Sequence, residues 1–220
     1  MSRAGKNIRS LALHRRLKAL MALGSAGILV AFPLILAAFV QQLSQITKTS
    51  IPIPFWVNIL CFAAAGLVVL QSLYWWKRAN HADQGAKGEE DIAATLKPLE
   101  KLGWQVEYNI RDRRLGDIDI FLLSPKGKAY TIDVKSHKGR VRNEKGQLYR
   151  QYGKSRYPFE KDFLSVAKQQ AIAMKDRKAL KFVVPMVVFA NADVDIASNS
   201  VSGVYVLAGK NLLTCLQSLE

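Results

Sequence analysis

No aspartate or glutamate precedes Asp83, although the chain holds 17 acidic residues in a length of 220. Cysteine is nearly absent too: Cys61 lies inside an apolar stretch and Cys215 near the C-terminus, so no disulfide framework is indicated. The three histidines, His14, His81 and His137, are scattered and lack zinc-ligand spacing; His137 is expected as a surface residue. The chain has no P-loop, no dinucleotide fingerprint, no Ser/His/Asp arrangement, no internal repeat and no low-complexity tract. What it does have is segregated. Six basic residues precede Leu20, Lys48 stands alone, and 25 follow Trp76 to meet all 17 acids. The net charge of +15 therefore combines an acid-free part that holds the apolar runs with a mixed-charge, net basic polar part, the second long enough for a folded domain.

The apolar part contains two uncharged runs, Leu20 to Val40 and Phe55 to Trp76, each as long as the roughly 20 residues that cross a bilayer as a helix. A cleaved signal peptide would explain the first run and a buried core helix the second. The first is too long for a signal core and is followed by another span. Pro33 is expected to kink the first helix. Trp56 marks one interface and Trp75 and Trp76 the other. Arg3, Lys6, Arg9, Arg15, Arg16 and Lys18 precede the first run, Lys77 and Arg78 follow the second, and only Lys48 lies between. Positive charge stays on the cytoplasmic side, so the expectation is a multi-pass membrane protein with two spans and both termini cytoplasmic. Residues 8–20 also fit a basic amphipathic helix lying on anionic headgroups.

Residues 1–78 thus form an anchor, 79–87 a polar linker, and 88–220 a further domain. Ile92, Leu96, Leu99 and Leu102 recur at helical spacing, with Pro98 kinking or ending that helix. Trp104 to Ile110 reads as a strand, followed by a basic turn at Arg111-Asp112-Arg113-Arg114. Residues 117–123 and 129–135 alternate as two strands joined by Pro125-Lys126-Gly127, a hairpin loop with Gly127 left-handed. Residues 139–158 read as a basic, tyrosine-containing loop, 159–178 as a helix, 181–190 as a buried strand despite Pro185, 203–207 as a strand and 210–219 as a closing helix. That order describes a mixed α/β domain.

If Ser124 pairs with Lys128, counting back puts Asp119 opposite Asp133 and Asp117 opposite Lys135, all on one face. Opposed carboxylates repel, so a cation or a retained proton is needed to offset them; carboxylate oxygens suit Mg²⁺. A solvated polar face, with Lys135 simply neutralising an aspartate, accounts for the hairpin alone equally well. Glu89 falls beside the apolar stripe of its helix while Glu90 faces water. Gln170, unlike Gln169, lies within the apolar face of Phe163, Val166, Ala167 and Met174. Both want polar company on the core side, or a water at a boundary position.

Gly85-Ala86-Lys87-Gly88-Glu89, Gly116-Asp117-Ile118-Asp119, Ile132-Asp133-Val134-Lys135 with Gly139, and Gln170-Ala171 together resemble the nuclease-related domain, a family of the PD-(D/E)XK nuclease superfamily. The resemblance covers about Gly85 to Lys178. It implies a restriction-endonuclease-like mixed sheet flanked by helices, here preceded by a two-helix transmembrane hairpin. It also implies a membrane-anchored, Mg²⁺- (or Mn²⁺-) dependent hydrolase of phosphodiester bonds in nucleic acid, DNA ahead of RNA. Asp119 and Asp133 would be metal ligands, Glu89 an accessory acid at the metal, Lys135 the residue that positions or deprotonates the attacking water, and Gln170 a site-orienting residue. Asp133 stands where the family often has Glu, and Asp117 is an acid without an assigned role. Lys138, Arg140, Arg142, Arg150, Lys154 and Arg156, interleaved with tyrosines, are the expected nucleic-acid contacts, with anionic lipid as the competing partner. The alternative function is an inactive module of the same fold that binds nucleic acid or a protein at the membrane.

Overall fold

The computed structural model describes residues 6–112 and 116–220; Arg3, and Arg113 and Arg114 of the expected basic turn, lie outside them. Two compact units divide the chain, one of residues 9–83 and one containing residues 84–220.

The first unit is built from α1 (Lys6–Thr47) and the beginning of α2 (Phe55–Lys101). Both helices are long and apolar enough to cross a membrane. Ala12, Ala19, Ala26, Ala65 and Ser72 are among its buried positions, small side chains that let helices approach closely, and Ser72 Oγ donates to the Ala19 carbonyl at 2.9 Å. Leu34, Phe55 and Leu67 are instead exposed, so the apolar surface is not core of this unit. Pro33 is accommodated inside a continuous α1. At and beyond the ends of the apolar runs, Arg16 pairs with Asp83, Arg15 donates to the Arg78 carbonyl, and the Lys18 ammonium sits 5.2 Å from the Trp75 ring.

Segment 79–87, expected as a linker, is helical throughout, and the division between units falls inside it. Its Ala, Gln and Lys residues carry enough helix propensity to span Gly85. Pro98 does not interrupt α2, which ends one turn later at Lys101. Leu102, read as part of the apolar face, lies past that end and is exposed; Trp104 takes the core position.

The second unit is a mixed eight-stranded sheet. Its strands are β1 (Gln105–Asp112), β2 (Gly116–Leu123), β3 (Ala129–Glu144), β4 (Gln147–Tyr152), β5 (Ser155–Pro158), β6 (Val184–Asp195), β7 (Ser200–Val201) and β8 (Val204–Ala208). The order is β1-β2-β3-β6-β8-β7; β4 pairs with β3, and β5 with β4. Antiparallel β1-β2-β3 thus adjoin parallel β3-β6-β8. Ile92, Leu96 and Leu99 of α2, with Leu212 and Leu216 of α4 (Leu212–Leu219), pack with Ile120, Ile132, Val134 and Val188. α3 (Phe163–Arg177) supplies Phe163, Leu164 and Ala167 to a cluster with Val187 and Phe189, and Ala171 and Met174 to one with Phe121. Helices therefore serve two different sets of sheet residues.

The β2–β3 hairpin has the expected register. Ser124 N–H donates to the Lys128 carbonyl at 2.8 Å, Leu123 pairs with Ala129, and Gly127 has φ 81°. The stretch expected as a loop, 139–158, is instead the far half of β3 with β4 and β5. Two tight turns carry it. Glu144 pairs with Gln147 across Lys145-Gly146, both at positive φ, and Tyr152 pairs with Ser155 across Gly153-Lys154, with positive φ at Gly153. α3 begins four residues later than expected because Asp162 caps it, accepting from Ser165 N–H at 3.1 Å.

Candidate active site

The β2–β3 ladder ends at Ile120↔Ile132, one pair short of the two acids. Beyond it β2 continues alongside β1, pairing Asp117 with Arg111, while β3 continues alongside β6, pairing Asp133 with Val187 and Lys135 with Phe189. Asp119 occupies the parting: its Oδ2 accepts a 2.7 Å hydrogen bond from the backbone N–H of Val134. Asp117 does not come to lie opposite Lys135. It is exposed on the β1 side, because the strands have already separated.

Asp133 is close enough to oppose the ionisation of Asp119. Burial first, then the Asp133 charge, then the Glu89 charge hold the Asp119 carboxyl well above the usual carboxylate range, against the smaller pull of Lys135 and the Val134 N–H. Burial likewise raises Asp133, which is 4% exposed, while Lys135, the Gln170 amide and Lys161 draw it down. Lys135 Nζ lies 2.7 Å from both Asp133 oxygens and donates to Oδ1. Gln170 Oε1 is buried without a hydrogen-bond partner among the described residues. The Lys135 ammonium also rests 4.9 Å from the Phe163 ring.

Glu89 and Gln170 are buried, at 5% and 3% exposure, whereas Gln169 is exposed and Glu90 partly so. Glu89 owes its place to the glycine before it. A Cβ at Gly88 would lie 3.1 Å from Ser136 Cβ and 3.3 Å from Ala190 Cβ, so α2 crosses β3 and β6 where only glycine fits comfortably. Gln84 Nε2 adds a 3.1 Å bond to the Ser136 carbonyl. The five predicted site residues therefore converge in part. Asp119, Asp133, Lys135 and Gln170 gather at one place, with the Glu89 charge felt at Asp119. Among the described residues, however, no three acids, histidines or cysteines are arranged to hold a metal ion together. Two carboxylates, Asp119 and Asp133, are a donor set that a hydrated Mg²⁺ accepts.

Between Lys135↔Phe189 and Lys138↔Asn191 the β3–β6 register slips, leaving one extra residue on β3 at Ser136-His137. Bulges of this kind re-aim side chains beside active sites. His137, expected at the surface, is half-buried and stacks on Phe163, with ring centroids 5.7 Å apart. Burial, then Arg150 and Lys135, lower its pKa, so the ring is held neutral. Sequence periodicity gave no sign of this, because a bulge breaks the alternation that periodicity measures.

Of the basic residues, Arg142 binds Asp195 through Nε at 3.0 Å and Nη2 at 2.6 Å, and Arg156 binds Glu144 at 2.7 Å. Arg150 lies over the Phe159 ring. Lys138, Arg140 and Lys154 are exposed on the β3–β4–β5 ribbon.

Residues 84–190 match the family model described as the nuclease-related domain. No curated protein and no solved structure matches the chain.

Proposed function

Residues 84–190 are a nuclease-related domain, and we propose that it hydrolyses phosphodiester bonds of nucleic acid, DNA in preference to RNA, while α1 and the first part of α2 anchor the chain in a membrane. The observation that carries this is the Asp119 carboxyl, clasped to the Val134 N–H and opposed by the neighbouring Asp133 charge, with the Lys135 ammonium 2.7 Å from Asp133. A protein does not gain stability by burying two like charges side by side, and such arrangements concentrate at functional sites.

Asp119 and Asp133 would hold a divalent ion, Mg²⁺ or Mn²⁺, with Glu89 as the accessory acid, and the ion would supply Lewis-acid polarisation of the scissile phosphate and a more acidic water. Gln170 orients Asp133 from α3. Lys135, aimed at the same spot by Asp133 and the Phe163 ring, neutralises negative charge that develops on the phosphate oxygens. The ribbon residues Lys138, Arg140, Arg142, Arg150, Lys154 and Arg156 bind the substrate backbone, a contact that weakens with salt. Both termini lie on the cytoplasmic side.

One observation favours the alternative, a module that binds without turnover: Lys135 already neutralises Asp133, and among the described residues no three-acid cluster is formed. The test uses the detergent-solubilised full chain with Mg²⁺ and labelled DNA. Cleavage should fall by about 100-fold or more in Lys135→Ala, as removal of one stabilising donor does elsewhere. Equal rates in both proteins would take Lys135 out of the chemistry; binding without cleavage in the unaltered chain would leave the binding module.

A further inference from the structure

Past the Ser136-His137 bulge, β3 leaves the catalytic region as one edge of a ribbon. Where that ribbon meets β6 and the turn before α4, a cleft of about 660 Å³ opens. The ribbon contributes Gly139, Arg140, Gln151 and Tyr152; Asp193 and Lys210 come from β6 and the turn. Its volume falls within the range of about 300–1,000 Å³ typical of clefts that enclose one small ligand. A duplex does not fit in it.

Tyr152 is fixed twice over. Its hydroxyl donates to the Lys138 carbonyl at 2.6 Å, and its ring lies where a Cβ on Gly139 would be, 2.9 Å from two ring atoms. Even so, Tyr152 is 46% exposed, as is Tyr157 at 48%, edge-on to it at 6.1 Å. Rings held rigid yet open to solvent are the surface on which unpaired bases stack. Gln151 directs its Nε2 to the Gly153 carbonyl at 2.8 Å, and its Oε1 is buried without a hydrogen-bond partner among the described residues. A buried acceptor of this kind calls for a donor, which the N–H edge of a nucleobase provides. Asp193 is the one acid of the cleft lining; Lys210 engages it at 2.7 Å and Arg140, its ladder partner, also acts on it, so two cations face one acid and the lining keeps an excess of positive charge for a phosphate.

From these features we infer that the cleft takes an unpaired nucleotide of the substrate, base against Tyr152 and phosphate on Arg140, so that single strands or frayed ends are preferred over duplex. The inference rests on the nuclease reading above. The reach is short: Arg140 is five residues from Lys135 along one strand, at most about 18 Å, so one strand serves both places.

The test measures binding of a fluorescent oligonucleotide to the detergent-solubilised full chain in EDTA, single-stranded and as a blunt duplex, at one salt concentration. The single strand should bind about tenfold more tightly. Arg140→Gln, which removes one backbone contact common to both forms, should weaken single-strand binding about fivefold and duplex binding by clearly less, and Gln151→Leu should weaken single-strand binding alone in a fold that keeps its Tyr152 tether. Equal affinity for the two forms overturns the inference, as does an Arg140→Gln that lowers both equally or that weakens binding only to anionic lipid vesicles. Cleavage with Mg²⁺ is measured separately: single-strand preference without cleavage keeps the cleft and removes the nuclease, and cleavage without that preference does the reverse.

Discussion

Asp119 Oδ2 accepts a 2.7 Å hydrogen bond from the Val134 N–H, the amide that lies in sequence between Asp133 and Lys135. One acid therefore fixes the backbone that presents the other acid and the lysine. Asn at 119 keeps an acceptor for that N–H and removes one of two repelling charges. In the absence of metal, Asp119→Asn should be as stable as the unaltered chain or more so, whereas Asp119→Ala should lose about 1–3 kcal/mol by stranding a donor. Mg²⁺ at about ten times its Kd should stabilise the unaltered chain by about 1.4 kcal/mol and Asp119→Asn hardly at all. Thermal melts with and without Mg²⁺ read both; a full Mg²⁺ response in Asp119→Asn would remove Asp119 as a ligand.

His137 sets a pH dependence whose sign follows from its burial. Its folded pKa is below the ordinary 6.5, so the stability it contributes is complete above 6.5 and is lost as pH falls from there through the lowered folded value. The apparent melting temperature should drop between about pH 7.5 and pH 5, and His137→Phe, which keeps the stack on Phe163, should flatten part of that drop. An identical acid limb in the variant would assign the loss to other groups.

Gly139 combines φ +99° with a ring where its Cβ would go. Gly139→Ala should cost about 1–3 kcal/mol, part from the left-handed backbone and part from the Tyr152 contact. In a Tyr152→Ala background the second part disappears, so the same substitution should cost less there. A double-mutant cycle with no coupling would mean that the ring moves aside freely.

Orientation is testable with single cysteines in a chain whose Cys61 and Cys215 are replaced by alanine. A cysteine at Thr49, in the segment between α1 and α2, should react with a membrane-impermeant maleimide in intact cells. One at exposed Lys154 should react only after permeabilisation. The reverse pattern would invert the anchor.

Much of this was legible from residue pattern alone. Alternation with a Pro-Lys-Gly turn was enough to give the β2–β3 register, and helical spacing separated Gln170 from Gln169 and Glu89 from Glu90. Three things were not. The ladder stops before Asp117 can face Lys135, because β2 turns to follow β1 and β3 to follow β6, a choice made by partners distant in sequence. The ribbon at 139–158 was masked by its charge, although Lys145-Gly146 and Gly153-Lys154 are hairpin turns by composition. His137 and Phe163 are 26 positions apart in the numbering, and only the bulge and the Asp162 cap bring their rings together.

The parting of β2 from β3 has a mechanical consequence. Past Ile120 and Ile132 the two strands share no rung, only the single clasp from Asp119 to Val134. The gap between the acids is thus governed less by the sheet than by the positive charge lodged beside them. A change in that charge would alter the spacing of the jaws without breaking a rung of the sheet.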